Sequence, residues 1–313
     1  MLLPTRPTSA SSDYVRQNQA RALLYVANGL TTVRNMWGDR VIDGLAKEID
    51  SGSALGPHIY SVGPLTDGNP PVWEGSRIVE TRDQAEEAVR SDKQAGYIAI
   101  KVYNRLSKNA YEAIIAAARR QGLPVVGHVP TAVGLPGAIA ARQDSIEHLT
   151  GFWQALQSDD SAGQKKSSSE LLEHVDLNNL PALVQAIKAA DVWNCPTLAL
   201  HLSPRTDAAW LEEERLVPTD VLEPSKRMYE GSKSPKDALR DTHSILRLLP
   251  LFTVAALTCF LARMPPNLER FLAFPCTANS RILSLPACLP TRPFALEPAM
   301  PRYSVTKKTN SER

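Results

Sequence analysis

The feature that most constrains the fold of this chain is an alternation of helical segments with short apolar strands, from residue 13 to about residue 200. Helical segments such as SDYVRQNQARALLYVANG end at a glycine and are followed by β-branched runs. Because a helix separates most pairs of strands, we expect parallel strands joined by crossover helices. The strand candidates are residues 31–36, 57–63, the stretch around Lys101, and residues 124–129, 145–149 and 192–200.

This alternation is compatible with a doubly wound sheet or with a (β/α)₈ barrel. Neither a G-x-G-x-x-G nor a G-x-x-x-x-G-K-[ST] motif follows the first strand, which counts against a nucleotide-binding doubly wound sheet. Lys101, His128 and His148 lie near the carboxyl ends of successive strands, where barrel enzymes build their active sites. The pattern therefore favours an α/β fold of the TIM-barrel type.

Composition limits the kinds of partner this chain is expected to have. Its 313 residues carry a net charge of +2, with 43% apolar and 22% charged residues, as in ordinary soluble domains. This balance predicts neither a nucleic-acid partner nor a membrane partner. The amino-terminal segment lacks the pattern of a secretion signal, and the four cysteines fit no zinc ribbon or disulfide scaffold. We therefore expect a cytoplasmic protein.

The character of the sequence changes after about residue 245. Residues 246–313 are rich in proline and show neither helical nor strand periodicity. The apolar segment 245–264 contains two arginines and a proline, so we expect it to be buried rather than membrane-spanning. We predict a partial β/α barrel over residues 1–245 and an irregular or disordered tail over residues 246–313. Within the barrel region, the polar run 157–170 is expected to form a flexible loop on the side of the active site.

Lys101 lies inside the apolar run YIAIKVYNRLS, where burying an ammonium group is costly. Its side chain could simply reach solvent from the strand end, and His128 and His148 could be ordinary core histidines. Two imidazoles and one oxygen ligand, however, form a set suited to zinc or a similar divalent metal. A lysine that has reacted with carbon dioxide is an anionic carbamate, which would supply that oxygen and explain why a lysine is tolerated here.

Six segments, taken in order, resemble metal-dependent amidohydrolases of the imidazolonepropionase-like and prolidase-like branch. They are VANGLTTVRNMWGD, GPHIYSVG, IAIKVYNRLS, GLPVVGHVP, QDSIEHLTG and WNCPTL, and they cover about residues 20–200. The resemblance implies a (β/α)₈ barrel with one or two divalent metal ions, zinc being expected. It also implies that a metal-activated hydroxide cleaves an amide or related C–N bond in a small amide or a dipeptide.

The same resemblance assigns roles to individual residues. It implies that Lys101 is a carbamylated lysine bridging the metals, and that His128 and His148 bind the second metal. Tyr103 lies two residues beyond Lys101 on the same strand face, so it is a candidate substrate-binding residue, although packing would also explain it. Glu147 is expected to point away from His148 and to be structural rather than catalytic.

The chain also departs from this family. A His-x-His pair is expected at the end of the first strand, but no histidine precedes His58. No aspartate motif of the last strand is recognisable after residue 200, where Asp207 and Asp241 lie in polar, helix-like sequence. The β-sandwich that flanks such barrels is missing as well. We therefore expect an incomplete barrel, truncated at both ends and lacking its first and last strands, with activity left open.

Two other functions are compatible with these residues. A Schiff-base lyase would use Lys101 as an amine nucleophile, which is a known role for buried lysines. A non-catalytic fragment would carry the amidohydrolase ancestry without activity. Trapping with borohydride would identify the lyase, and a thermal melt without a cooperative transition would indicate the fragment.

Overall fold

The computed structural model describes residues 12–157 and 175–197 of the chain. The helices of this part are α1 Ser12–Ala27, α2 Arg40–Asp50, α3 Arg82–Gln94, α4 Lys108–Gln121, α5 Gly134–Ala140, α6 Phe152–Ala155 and α7 Leu180–Ala190, with a 3₁₀ turn at Leu177–Asn179. The strands are β1 Thr32–Asn35, β2 His58–Ser61, β3 Leu65–Asp67, β4 Arg77–Ile78, β5 Ile100–Val102, β6 Val125–Gly127, β7 Ser145–Glu147 and β8 Trp193–Cys195. All six predicted strands are present, and β3 and β4 are additional.

Local capping signals explain where several helices begin and end. Thr81 and Gln84 form the predicted capping box at the start of α3, each side chain binding the backbone of the other residue. The Ser107 hydroxyl accepts the amide N–H of Ala110 at the start of α4. Gly122 ends α4 in the left-handed conformation, with φ 61°. These caps confirm the predicted boundaries of both helices.

Every strand pair in the described part of the chain is parallel. The strands form a two-stranded sheet, β1-β2, and a six-stranded sheet in the order β4-β3-β5-β6-β7-β8. Backbone hydrogen bonds join the two sheets, because the amides of Gly63 and Ile98 donate to the carbonyls of Ala99 and Ser61 at 2.9 and 3.0 Å. The chain segment from the end of β2 to β3 therefore lies next to β5.

The sheet is strongly curved. The Arg34 side chain on β1 forms an ion pair with Glu147 on β7, with Nη2 and Oε1 2.9 Å apart. Four strand spacings lie between β1 and β7, which in a flat sheet would separate them by about 19 Å. The contact thus requires the sheet to bend so that its concave face encloses both side chains. No closed barrel is formed by residues 12–157 and 175–197.

The helices cover the convex face of this sheet. Ile100 and Val102 of β5 are fully buried in an apolar cluster with residues of α3 and α4, which include Val89 and Ile114. A second apolar cluster joins β7 to α5, α6 and α7. Since side chains alternate along a strand, Lys101 points from β5 toward the opposite, concave face. The amine of Lys101 therefore lies on the face of the sheet that carries the Arg34 and Glu147 side chains.

Several expectations concern residues outside the described part of the chain. They are the loop at residues 157–170 beyond its first residue, the apolar segment 245–264, and the tail from residue 246. Asp207 and Asp241 also lie outside it. Among the helices that the structure describes, none combines the length and the apolar character that crossing a membrane requires.

Candidate metal centre

Lys101 lies in the middle of β5 and is only 3% exposed. Burial lowers the pKa of its ammonium group to about 8. The carboxylate of Glu147 opposes this change, and the guanidinium of Arg34 adds to it. The amine of Lys101 is therefore enclosed and close to both members of the ion pair that crosses the concave face.

His128 follows the last residue of β6, and its backbone amide donates to the carbonyl of Val102 at 3.0 Å. Its Nδ1 lies 2.6 Å from the Oδ1 atom of Asn104. Because an amide oxygen accepts hydrogen bonds, this contact fixes the proton on Nδ1 and leaves the lone pair on Nε2. Burial, followed by the charges of Lys101 and His148, lowers the pKa of His128 to about 2. The imidazole is accordingly neutral, as a metal ligand must be.

His148 follows the last residue of β7 and has a left-handed backbone, with φ 60°. Leu149 shares this conformation, with φ 54°, so the strand stops abruptly at Glu147. Non-glycine residues rarely adopt such a backbone, and those that do cluster at functional sites. The turn is secured by the amide of His148, which donates to the carbonyl of Cys195 at 2.8 Å.

Thr197 orients the ring of His148. Its hydroxyl lies 2.8 Å from Nδ1 of His148 and 3.3 Å from the carbonyl oxygen of Cys195. The hydroxyl can accept the proton of Nδ1 while it donates to that carbonyl, and this arrangement leaves the lone pair of His148 on Nε2. The arrangement matches that of His128, where an oxygen of a neighbouring side chain also binds Nδ1. At His128, where the Asn104 oxygen can only accept, Nε2 is the nitrogen with the lone pair.

The structure brings the predicted residues together. The ring centroids of His128 and His148 are 5.1 Å apart, with the planes at 80°. The charge of Lys101 acts on His128 more strongly than that of His148, and Lys101 lies on β5, the strand next to β6. Within residues 12–157 and 175–197, no three side chains of histidine, cysteine, aspartate or glutamate converge as a metal site.

Tyr103 stands beside this pair of imidazoles. Its ring lies 4.0 Å from the ring of His128, measured between centroids, with the planes tilted by 30°. The Tyr103 hydroxyl accepts a hydrogen bond of 2.8 Å from Nε1 of Trp73. The predicted substrate-binding residue therefore lies against a predicted metal ligand, and its orientation is held by a neighbouring loop.

The ion pair of Glu147 and Arg34 was not predicted from the sequence. The carboxylate of Glu147 is 2% exposed and also accepts a hydrogen bond of 2.6 Å from the Ser145 hydroxyl. It faces Arg34 and Lys101 on the concave side of the sheet. The expectation that Glu147 and His148 point to opposite faces assumed a continuous strand, and the left-handed backbone at His148 removes that assumption.

The partners of the imidazoles, Asn104 and Thr197, were not predicted either. Asn104 lies three residues beyond Lys101, and Thr197 lies two residues beyond β8. A polar residue just beyond a strand end is a weak signal for such a role, because most residues in loops are polar. The short separation from Lys101 is the only indication that the sequence offers for Asn104.

No family model matches this chain, and no curated protein sequence matches it. Solved structures of amidohydrolase-superfamily enzymes do resemble it. One is the bottromycin amidohydrolase AH, at 22% identity and a TM-score of 0.52, over 75% of this chain and 52% of that one. Another is a prolidase complexed with N-methylphosphonate-L-proline, at 16% identity and a TM-score of 0.50, over 79% of this chain and 58% of that one.

The alignments therefore cover between half and three fifths of these enzymes. At such identities the likeness concerns the fold. It confirms the predicted resemblance to amidohydrolases at that level: the described residues form a parallel α/β sheet of the kind found in amidohydrolase-superfamily enzymes.

Proposed function

We propose that this protein is a metal-dependent hydrolase that cleaves an amide or related C–N bond, with its metal held by Lys101, His128 and His148. The observation that carries the proposal is the approach of two imidazoles to 5.1 Å at the carboxyl edge of a curved parallel sheet. A buried lysine, Lys101, lies on the adjacent strand and supports the same proposal. The fold that this chain shares with amidohydrolases supports the same proposal. We propose that the curved sheet is part of an incomplete (β/α)₈ barrel.

Lys101, His128 and His148 fit a divalent metal such as zinc on the condition that Lys101 is carbamylated. Two imidazoles supply two donors, and a catalytic zinc site has three protein ligands. Lys101 supplies the third when its neutral amine adds to carbon dioxide, forming a carbamate and releasing a proton. With the pKa of Lys101 lowered to about 8, roughly a tenth of the amine is neutral at pH 7 and able to react. Three donors can hold one zinc ion, and a second ion would need donors beyond these residues.

Neighbouring residues would then fix the orientation of the metal-binding side chains. When bound, a divalent cation supplies an acidified water and polarises the carbonyl of the substrate. Asn104 binds Nδ1 of His128 and so keeps that ring in the tautomer that can ligate through Nε2, and Thr197 would do the same for His148 by accepting the proton of Nδ1. Burial keeps His128 neutral, so a proton does not compete with the metal. Tyr103, whose ring packs against His128, would contact a small amide or dipeptide substrate.

A pair of variants at Lys101 tests the proposal. Lys101→Glu provides a carboxylate without carbon dioxide, whereas Lys101→Gln keeps a similar size and provides none. We expect the Glu variant to bind zinc in buffer freed of bicarbonate and the Gln variant to lose zinc. The wild type should bind zinc more tightly when bicarbonate is added. Equal zinc binding by all three proteins would show that Lys101 is not a ligand.

Hydrolysis is tested separately with an Xaa-Pro dipeptide and a cyclic amide. We expect His128→Ala and His148→Ala to lose zinc and hydrolysis together. Activity that persists in both variants, with zinc absent, would contradict the proposal.

A Schiff-base lyase is a second candidate, favoured by the lowered pKa of the enclosed Lys101 amine. A neutral amine can add to a ketone or an aldehyde and lose water to form an imine. Borohydride added with a keto acid would label Lys101 permanently if this chemistry occurs. Labelling at Lys101 in the absence of zinc would favour the lyase, and an unlabelled lysine would leave the hydrolase as the better account.

A further inference from the structure

Three aromatic side chains form a series of contacts that begins at His128. They come from the ends of three separate strands: Trp37 lies beyond β1, Trp73 beyond β3, and Tyr103 beyond β5. The centroids of the two tryptophan rings are 6.1 Å apart, with the planes at 55°. Trp73 donates its indole N–H to the Tyr103 hydroxyl at 2.8 Å. We call these three residues the aromatic wall.

The aromatic wall is continuous with the candidate metal centre. Tyr103 packs on His128 at 4.0 Å between ring centroids, and Trp73 is tied to Tyr103. The wall therefore extends from His128 through Tyr103 and Trp73 to Trp37. A substrate that places its reacting carbonyl at the imidazoles must place a neighbouring substituent beside this surface.

Both tryptophans of the wall are only half-buried. Tryptophan and tyrosine rings gain most when their faces are covered by another flat, apolar group. The hydrogen bond between Trp73 and Tyr103 fixes the orientation of these two rings in advance, which reduces the entropy that a ligand would have to offset on binding. The surface thus suits a flat ring better than a flexible or charged chain.

We propose that Trp37, Trp73 and Tyr103 form a specificity subsite for an aromatic substituent next to the scissile bond. The substrate class is then amides of aromatic acids or amines, rather than amides with small aliphatic groups. This inference rests on the proposed function for the position of the reacting group. The binding preference itself does not require hydrolysis.

The test measures the dissociation constants of N-acetyl-L-phenylalanine amide and N-acetyl-L-alanine amide by ligand-observed NMR on the full chain. We expect the phenylalanine compound to bind about tenfold more tightly, as covering one aromatic face commonly allows. Trp37→Leu and Trp73→Leu remove one ring each and should each reduce that preference severalfold. The ring-retaining controls, Trp37→Phe and Trp73→Phe, should keep most of it.

Circular dichroism establishes that each variant is folded before binding is compared. Equal binding of the two compounds by the wild type, or no binding of either, would overturn the subsite. So would a preference that survives in a folded Trp37→Leu, Trp73→Leu double variant. An aromatic preference in a protein without hydrolysis would count against the proposed function alone, whereas hydrolysis without the preference would count against the subsite alone.

Discussion

Replacing Glu147 with glutamine is expected to lower the free energy of unfolding by about 2 kcal/mol. The Glu147 carboxylate is 2% exposed, and its partner Arg34 is 38% exposed, with the charged atoms 2.9 Å apart. Breaking a fully buried ion pair costs about 3–5 kcal/mol, whereas an exposed pair contributes about 0–1 kcal/mol. Because Glu147 is buried and Arg34 is partly exposed, the expected loss of unfolding free energy lies between these two ranges. Glutamine keeps the size of the side chain, so the change reports on charge.

Urea unfolding followed by circular dichroism measures this cost. With a urea dependence of about 2 kcal/mol per molar, the midpoint should fall by roughly 1 M. The matched control is Glu112→Gln, because Glu112 pairs with Lys108 on the surface of α4 and the two side chains are 58% and 69% exposed. This control should change the free energy of unfolding by less than about 0.5 kcal/mol.

A double-mutant cycle with Arg34→Met separates the ion pair from other effects of Glu147. If β1 and β7 meet across the concave face, the coupling energy between Arg34 and Glu147 should be at least about 1 kcal/mol. A coupling energy near zero, or a Glu147→Gln protein as stable as the wild type, would refute the curvature of the sheet.

Three further outcomes are expected. Gly127→Ala should destabilise the protein by more than about 1 kcal/mol in urea unfolding, because Gly127 has φ 125° and a Cβ atom would clash with the carbonyl oxygen of Val102. A change below about 0.3 kcal/mol would contradict this. Burial raises the pKa of Asp92 against the opposing effect of its partner Arg77, so the folded state holds that proton more tightly than the unfolded state. The contribution of Asp92 to stability is therefore present at low pH and declines as pH rises from about 4 through the folded-state pKa. The difference between wild type and Asp92→Asn across this range should show that decline, and a difference that does not vary with pH would refute it. Ser107→Ala should cost about 1 kcal/mol in a thermal melt, while Ser107→Asp, which can still cap α4, should cost less; equal losses would show that the cap is unimportant.

The sequence was sufficient to predict most of the strands and helices, because their signals are local. Thr81 with Gln84, and Ser107 with Gly122, mark helix ends through side-chain chemistry that acts within a few residues. The strands β3 and β4, with the sequences LTD and RI, were not predicted, since they lack the β-branched apolar run that marks the equally short β5 and β6. Each is recognisable only from its parallel partner in the sheet.

The part of the candidate site that could be predicted is the part that lies at the carboxyl ends of neighbouring strands. Lys101, His128 and His148 were identified because the carboxyl ends of parallel strands share one edge of a sheet. The pairing of Arg34 with Glu147 was not, because it depends on how far the sheet bends. The orientation of His148 depends on its left-handed backbone, which no pattern around that residue predicts. Long-range curvature and local strain thus account for what the sequence did not provide.

The zinc content of the purified protein tests the central claim most directly. Metal analysis by inductively coupled plasma mass spectrometry, after dialysis against zinc and then against metal-free buffer containing bicarbonate, should find one zinc ion per chain in the wild type. His128→Ala and His148→Ala, each checked for folding by circular dichroism, should retain little or none. Zinc at background level in the folded wild type, or equal zinc in the wild type and both variants, would contradict a metal centre at these residues.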